Sequence, residues 1–267
     1  MIKLVTIDLD GTLLTDSKEI TKENIEAIKK AKEKGVQVVL ATGRPIEGVS
    51  QYLKILEMNE GYLITFNGAL IKNLKTNEVL HSTTISGAAV KEIYQEALRL
   101  NVNFHAFTED DELITNEKNP YTAVEERING FDAKVVDVMS YSDQAKFLKA
   151  MLVYSENELN IAEANVSSKL KNELTMVRSS KIFLEFLNKD SDKGKALLFL
   201  RDYLGLKDEE TMAIGDAGND LPMIKASGNG VAMINGMDYV KKEAKIISSF
   251  DNNNSGVADI FNKYVLI

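Results

Sequence analysis

The chain has 267 residues, 44% of them hydrophobic and 27% charged, which suits a globular protein of one large domain or two modest ones. No apolar run approaches the roughly 18–20 residues of a membrane helix, and a net charge of −8 argues against general nucleic-acid binding, which wants a basic footprint. The absence of cysteine excludes disulfides and thiolate metal sites, and a cytoplasmic protein fits best.

The N-terminus enters a predicted strand, Ile2–Ile7, with no signal-peptide pattern before it. Thr21 can cap a helix that carries Ile25, Ile28 and Ala31 at helical spacing and ends at Gly35. Val36–Leu40 is a continuous apolar run of the buried parallel-strand kind. Ala41-Thr42-Gly43-Arg44-Pro45 follows, with Pro45 suited to the first turn of a helix running to about Met58. Tyr62–Phe66 is a third strand, ending in Asn67-Gly68. This alternation predicts βαβ units, a parallel sheet and right-handed crossovers.

From about Thr83 to Leu187 the style changes. Helical stretches (Gly87–Leu100, Asn157–Leu170) mix with strand-like ones (Val102–Phe107, Glu112–Thr115, Lys134–Val138, Phe147–Tyr154, Met176–Arg178, Phe183–Phe186). None of these strands ends in an acidic or Gly-rich signature. The last third returns to the first pattern. A helix is expected over Lys193–Leu204 and a strand over Thr211–Ile214, the latter followed by Gly215-Asp216-Ala217-Gly218-Asn219-Asp220. Pro222 then starts a short helix, Gly230–Met233 is a short strand, and two helical segments surround Lys245–Ser248. Asn252-Asn253-Asn254-Ser255-Gly256 reads as a polar loop. The expectation is an α/β fold: a discontinuous Rossmann-like parallel-sheet core over residues 1–82 and 188–267, with an inserted α/β domain over 83–187.

The most informative stretch is Val5-Thr6-Ile7-Asp8-Leu9-Asp10-Gly11-Thr12. A buried-type strand ends there in two carboxylates, at the sheet edge where open α/β sheets bind ligands. Clustered acids repel one another unless a cation joins them, and Mg²⁺ is the hard cation suited to carboxylate and phosphate oxygens. Thr42-Gly43 and Asp216 follow strands of the same parallel sheet, so their convergence with Asp8 follows from the topology. A carboxylate at this edge can attack phosphorus and form an aspartyl-phosphate. Asp8 and Asp216 can each give a metal oxygen, with the Asp10 backbone carbonyl as a third ligand. The Asp10 carboxyl is then left to protonate the leaving alcohol and later activate water. Thr42, the Gly43 N–H, Lys193 and Asn219 can hold phosphoryl oxygens. Asp220 can orient Lys193 or a metal-bound water, and Arg44 reads as a supporting or substrate-side cation. His81 and His105 form no metal cluster, and a packed or surface role is expected for His105.

In order, Asp8-Leu9-Asp10-Gly11-Thr12, Thr42, Lys193 and Gly215-Asp216-Ala217-Gly218-Asn219-Asp220 resemble the four motifs of the haloacid dehalogenase-like hydrolase superfamily. Ala41-Thr42-Gly43-Arg44-Pro45, Ile64-Thr65-Phe66-Asn67-Gly68-Ala69 and the closing Lys263-Tyr264-Val265-Leu266 look like its Cof-type branch. The resemblance implies a large α/β cap inserted after the third strand and closing over the leaving group. It also implies Mg²⁺-dependent dephosphorylation of small phosphorylated metabolites, often sugar phosphates. It assigns Asp8 as nucleophile and Asp10 as acid/base, places Asp8, the Asp10 carbonyl and Asp216 on Mg²⁺, and puts the Leu9 N–H, Thr42, Gly43, Lys193 and Asn219 at phosphate-contacting positions. The motif lysine is preceded by the acidic Asp192, which would trim local positive potential.

Asn67 and Gly68 are further candidates for substrate contact. Three alternatives stand beside a sugar phosphatase: a flavin mononucleotide or pyridoxal phosphate phosphatase, a phosphomutase, and a phosphosugar-binding sensor without turnover. The intact Asp10 speaks against the sensor, because a binder needs no proton shuttle. The expected partner is a small phosphorylated metabolite, with no nucleic acid or membrane, and the protein is expected to be a monomer or homodimer.

Overall fold

The computed structural model describes residues 1–267. In chain order the first elements are β1 (Leu4–Ile7), α1 (Lys22–Glu33), β2 (Gln37–Ala41), α2 (Glu47–Ile55), β3 (Tyr62–Thr65), β4 (Leu70–Asn73) and β5 (Val79–Ser82). There follow β6 (Ile85–Ser86), α3 (Gly87–Leu100), β7 (Asn103–Thr108), β8 (Leu113–Thr115), α4 (Pro120–Asn129), β9 (Lys134–Val135) and β10 (Lys146–Val153). Next come α5 (Glu156–Asn165), α6 (Ser168–Glu173), β11 (Leu174–Ser180), β12 (Phe183–Asn188) and α7 (Lys193–Tyr203). The chain closes with β13 (Thr211–Gly215), α8 (Leu221–Ala226), β14 (Asn229–Ala232), α9 (Asp238–Glu243), β15 (Ile246–Ile247) and α10 (Gly256–Ile260). Two compact units result: Met1–Gly43, Ser50–His81 and Asp192–Ile267 form one, and Arg44–Val49 with Ser82–Ser191 form the other.

The first unit is built on an eight-stranded sheet ordered β15-β14-β13-β1-β2-β3-β4-β5. From β15 to β3 every neighbouring pair is parallel, and β4 then turns back antiparallel on β3. Ile7 pairs with Leu40 on one side and Ile214 on the other, so β1 is the central strand of the site. Such strands lack a solvent face, which is why Leu4, Val5 and Ile7 are all apolar and fully buried. Burying each side chain of this kind contributes about 1.5–3 kcal/mol. Ala196, Leu197 and Leu200 of α7 and Met223 of α8 pack against Leu4, Val39, Ile64 and Ala213. Thr21 caps α1, its hydroxyl accepting the Asn24 N–H at 3.4 Å.

The β4–β5 pair extends the sheet before the inserted residues begin. One expectation is corrected here. The expected Asn157–Leu170 helix is two helices, α5 and α6, broken where Val166 and Ser167 leave the helical conformation and Ser167 caps α6.

The second unit carries a sheet ordered β11-β12-β10-β7-β8-β9, with β6 also pairing to β10. Strand alternation divides its residues between two faces. Phe104, Ala106, Ala150, Leu152, Leu184 and Phe186 form an apolar core with Val90, Ile93 and Ala97 of α3. The alternate positions include His105, Lys149 and Glu185, and Lys149 Nζ donates to Glu185 Oε1 at 2.7 Å with both side chains buried. Helix α4 was not expected; Asn119 caps it and Pro120 starts it. Its buried residues include Thr122, Glu125 and Asn129, so it lacks the apolar stripe by which sequence periodicity reveals a helix. Residues Lys134–Val138, expected as one strand, form the two-residue β9 and then enter a 3₁₀ turn at Val138–Ser140.

Candidate active site

Strands β13, β1 and β2 lie side by side and point the same way, so Asp216, Asp8 and Thr42 reach one sheet edge. Lys193 arrives from a different element, as the first residue of α7, capped by Asp192, whose carboxylate accepts the Lys195 N–H at 2.7 Å. Lys193 is completely buried, and its Nζ donates to Asp8 Oδ1 at 2.5 Å and to Asp220 Oδ1 at 2.6 Å. Burial alone would push this ammonium's pKa down, but Asp220 and Asp8 outweigh it and hold the pKa above its ordinary value.

The acids are less well served. Burial raises the Asp8 carboxyl well above the usual carboxylate range, and Asp220 and Asp216 add to this against the pull of Lys193. Asp216 is pushed up to about 6, first by burial and then by the charge of Asp220. Carboxylate oxygens of Asp8, Asp216 and Asp220 lie within 4.8 Å of one another. Three carboxylates against one ammonium leave a formal −2 (−3 + 1), which a divalent cation would neutralise. Asp220 already has both oxygens engaged: Oδ1 by Lys193, and Oδ2 by the N–H groups of Asp216 and Ala217, each at 3.0 Å. Asp8 and Asp216 are therefore the side chains suited to a metal. Thr12 Oγ1 donates to Asp216 Oδ1 at 2.8 Å and fixes that carboxylate. Gly11 has φ +84, and a Cβ there would fall 2.6 Å from Asp216 Oδ2, so the backbone approaches the acid as only glycine allows.

The remaining candidates frame this cluster. Leu9 is buried, and its carbonyl accepts the N–H groups of Thr12 and Leu14, turning the chain after β1. Asp10 keeps its side chain 41% exposed, with Lys18 Nζ 2.8 Å from Oδ1. Thr42 is buried; its N–H donates to Ile64 O at 3.0 Å and its carbonyl accepts the Asn67 N–H at 2.9 Å. Asn67 adopts a left-handed conformation, φ 55, and its Oδ1 accepts Asn219 Nδ2 at 3.0 Å. A Cβ on Gly43 would lie 3.0 Å from that same oxygen. Asn67 thus ties the Thr42-Gly43 loop to Asn219, residues that the chain keeps far apart. Gly68, with φ +97, passes so close to the start of α7 that a Cβ would clash with the Asp192 carbonyl.

Arg44, expected as a supporting cation, directly follows Gly43 in the chain. It lies in the Arg44–Val49 segment of the other unit, and its Nη1 donates to Gly48 O at 3.3 Å. His81 stacks on Phe199 with ring centres 5.0 Å apart, while His105 is buried and bonds through Nε2 to Thr122 Oγ1 at 2.9 Å. The asparagine run is more than a loop: Asn252 is buried, and its Nδ2 donates to Leu14 O at 2.9 Å and Asp16 Oδ1 at 3.1 Å. Sequence reading missed the contributions of Thr12, Lys18, Asn235 (Nδ2 to Gly11 O, 2.8 Å) and Asn252. Thr12 alone carried a signal, as part of the aspartate motif.

A parallel sheet that gathers an aspartate pair, a buried lysine and an acidic loop at its carboxyl edge defines a Rossmann-like protein with a carboxylate–lysine site. The chain belongs to the haloacid dehalogenase-like hydrolase family, whose profile it matches over residues 5–261. A Streptococcus pyogenes protein carried under a provisional name as a phosphatase is 37% identical, with 99% of each chain covered. The 5-amino-6-(5-phospho-D-ribitylamino)uracil phosphatase YcsE of Bacillus subtilis is 32% identical, covering 99% of this chain and 96% of that one. Among solved structures, a haloacid dehalogenase-like hydrolase from Bacteroides thetaiotaomicron superposes with a TM-score of 0.89 at 31% identity, over 98% of this chain and 99% of that one. No helix is long and apolar enough to cross a membrane.

Proposed function

We propose that this chain is a Mg²⁺-dependent phosphatase of small phosphorylated metabolites, sugar phosphates foremost, acting through an aspartyl-phosphate on Asp8. The observation that carries the reading is the fully buried Lys193 ammonium bridging Asp8 and Asp220, with Asp216 completing the acidic cluster. A lysine so deep among carboxylates is costly to bury for stability alone. Its position suits a group that holds a phosphoryl oxygen beside the nucleophile.

In this mechanism Lys193 orients Asp8 through Oδ1. A carboxylate oxygen of Asp8 forms the new bond to phosphorus, the ester P–O bond breaks, and the leaving oxygen takes a proton from Asp10. Water then adds to phosphorus, Asp10 recovers the proton, and the Asp8–phosphorus link opens to release phosphate. Thr42, the N–H groups of Leu9 and Gly43, Lys193 and Asn219 bind the phosphoryl oxygens as charge spreads over them. Asp8, Asp216 and the Asp10 carbonyl would hold Mg²⁺, which supplies charge neutralisation between nucleophile and phosphate.

A second substrate reading is flavin mononucleotide or pyridoxal phosphate; its flavin half draws support from the relative YcsE, a phosphatase of 5-amino-6-(5-phospho-D-ribitylamino)uracil, which carries a phosphorylated ribityl group as flavin mononucleotide does. A phosphate-release screen over sugar phosphates, flavin and pyridoxal esters, with and without Mg²⁺, separates the two. The same assay tests the core claim: Asp8→Asn should abolish metal-dependent release, and near-normal turnover in that variant would refute the nucleophile. Tight phosphosugar binding without any release would favour a sensor.

A further inference from the structure

Lys18 sits in a short turn that leaves the aspartate motif and returns, pinned from several sides. Thr15 N–H donates to the Glu19 carbonyl and Lys18 N–H to the Thr15 carbonyl, each at 2.9 Å. The buried Tyr52 donates its hydroxyl to the Lys18 carbonyl at 3.4 Å. Asp16 is held by Asn252 at 3.1 Å and by Asn253, through its N–H at 3.0 Å and its Oδ2 at 3.1 Å. Within this turn Lys18 takes a left-handed backbone, φ 65, a conformation usually left to glycine, asparagine or aspartate. A strained backbone at a long, charged residue points to a requirement for the side chain. That side chain reaches Asp10 Oδ1 at 2.8 Å. An ion pair with 55% and 41% of its side chains exposed contributes little stability, so stability does not explain it.

We propose that Lys18 is a positioning residue for Asp10. Its ammonium holds one carboxyl oxygen, so that the other carries the proton toward the leaving oxygen. This rests on the role of Asp10 in the hydrolase reading above. The proton balance is unchanged: Asp10 gives one proton to the leaving oxygen and regains it from water, while Lys18 keeps its own throughout.

The test compares two esters. A primary alkyl phosphate must have its leaving oxygen protonated, whereas p-nitrophenyl phosphate releases a stable phenolate that needs no proton. kcat/KM reports the first phosphoryl transfer for both. In Lys18→Gln the alkyl-to-aryl ratio of kcat/KM should fall about tenfold, a fraction of what a positioned general acid supplies. Lys18→Gly, which suits the left-handed backbone, should give the same fall while keeping the fold, and Lys18→Arg should recover most of the ratio. A ratio that stays constant, whether both esters slow together or neither changes, overturns the proposal. So does a KM rise shared by both esters, which would make Lys18 a phosphate ligand. Failure of the unsubstituted chain to release phosphate from either ester would instead sink the hydrolase reading, and this inference with it.

Discussion

Asp220 and Lys193 form a fully buried pair in which one Asp220 oxygen takes the Lys193 ammonium at 2.6 Å, while the other takes the two backbone N–H groups of the loop carrying Asp216. One carboxylate therefore sets both the cation and the acidic loop of the site. Asp220→Asn removes half of the charge that keeps the buried ammonium paired and presents an amide where three donors converge. The variant should lose about 3–5 kcal/mol of stability, as breaking a buried pair does, and about 10²-fold in kcat. Urea unfolding and phosphate release measure both, and a kcat equal to that of the unsubstituted chain would remove Asp220 from the orienting role.

Asp216 separates stability from activity. Its pKa of about 6 in the folded chain lies above the ordinary 3.8. The folded state therefore holds the proton more tightly, and the resulting stability, full at low pH, is lost as pH rises through about 6. Asp216→Asn removes the buried charge, so the metal-free variant should be more stable at pH 7.5 by roughly 1–2 kcal/mol. It should also lose turnover and show no Mg²⁺-induced rise in Tm. Thermal melts with and without Mg²⁺ give the answer; a variant that still gains Tm with the metal would place the ion elsewhere.

Gly68→Ala tests how tightly the site is built from beneath. The residue needs φ +97, and the new methyl would press on the Asp192 carbonyl and come 3.0 Å from Lys193 N. Relief requires the start of α7 to move, taking Lys193 with it. A loss of about 2–4 kcal/mol in urea unfolding is expected, with a fall in kcat larger than any change in KM. Unaltered stability would mean that the backbone yields more easily than its packing implies.

His105 has the opposite sign from Asp216. Burial lowers its pKa from 6.5 to about 4, so it stays neutral in the folded chain while the unfolded chain takes up a proton below 6.5. Its stability contribution is complete above pH 6.5 and is lost as pH falls toward 4, by as much as about 3 kcal/mol. In His105→Gln the difference in urea midpoint between pH 7 and pH 4.5 should shrink. An identical pH dependence in the variant would assign the acid sensitivity to other groups.

Much of the catalytic edge could be read from local sequence. The apolar runs that became β1, β2 and β13 announce buried parallel strands, and each stops at a polar signature because a strand end is where a side chain can leave the core. Strand direction then gathers Asp8, Thr42 and Asp216 without further information. Local pattern failed where polar groups or short runs replace periodicity. Helix α4 buries Thr122, Glu125 and Asn129 rather than an apolar stripe, β4 turns polar at Lys72 and Asn73, and β5 fully buries none of its residues.

The sequence by itself determined which residues stand at the strand ends and in what order, since alternation, caps and glycines act over a few neighbouring positions. Tertiary structure alone decided who meets whom across the chain. Examples are Asn67 with Asn219, separated by 152 positions, Asn252 with Leu14, separated by 238, and the double hold of Asp220 on Lys193 and the Asp216 loop. The physical reason is that a buried donor or acceptor must find a partner once water is excluded. That partner is set by the packing of whole elements, which no short window of sequence contains.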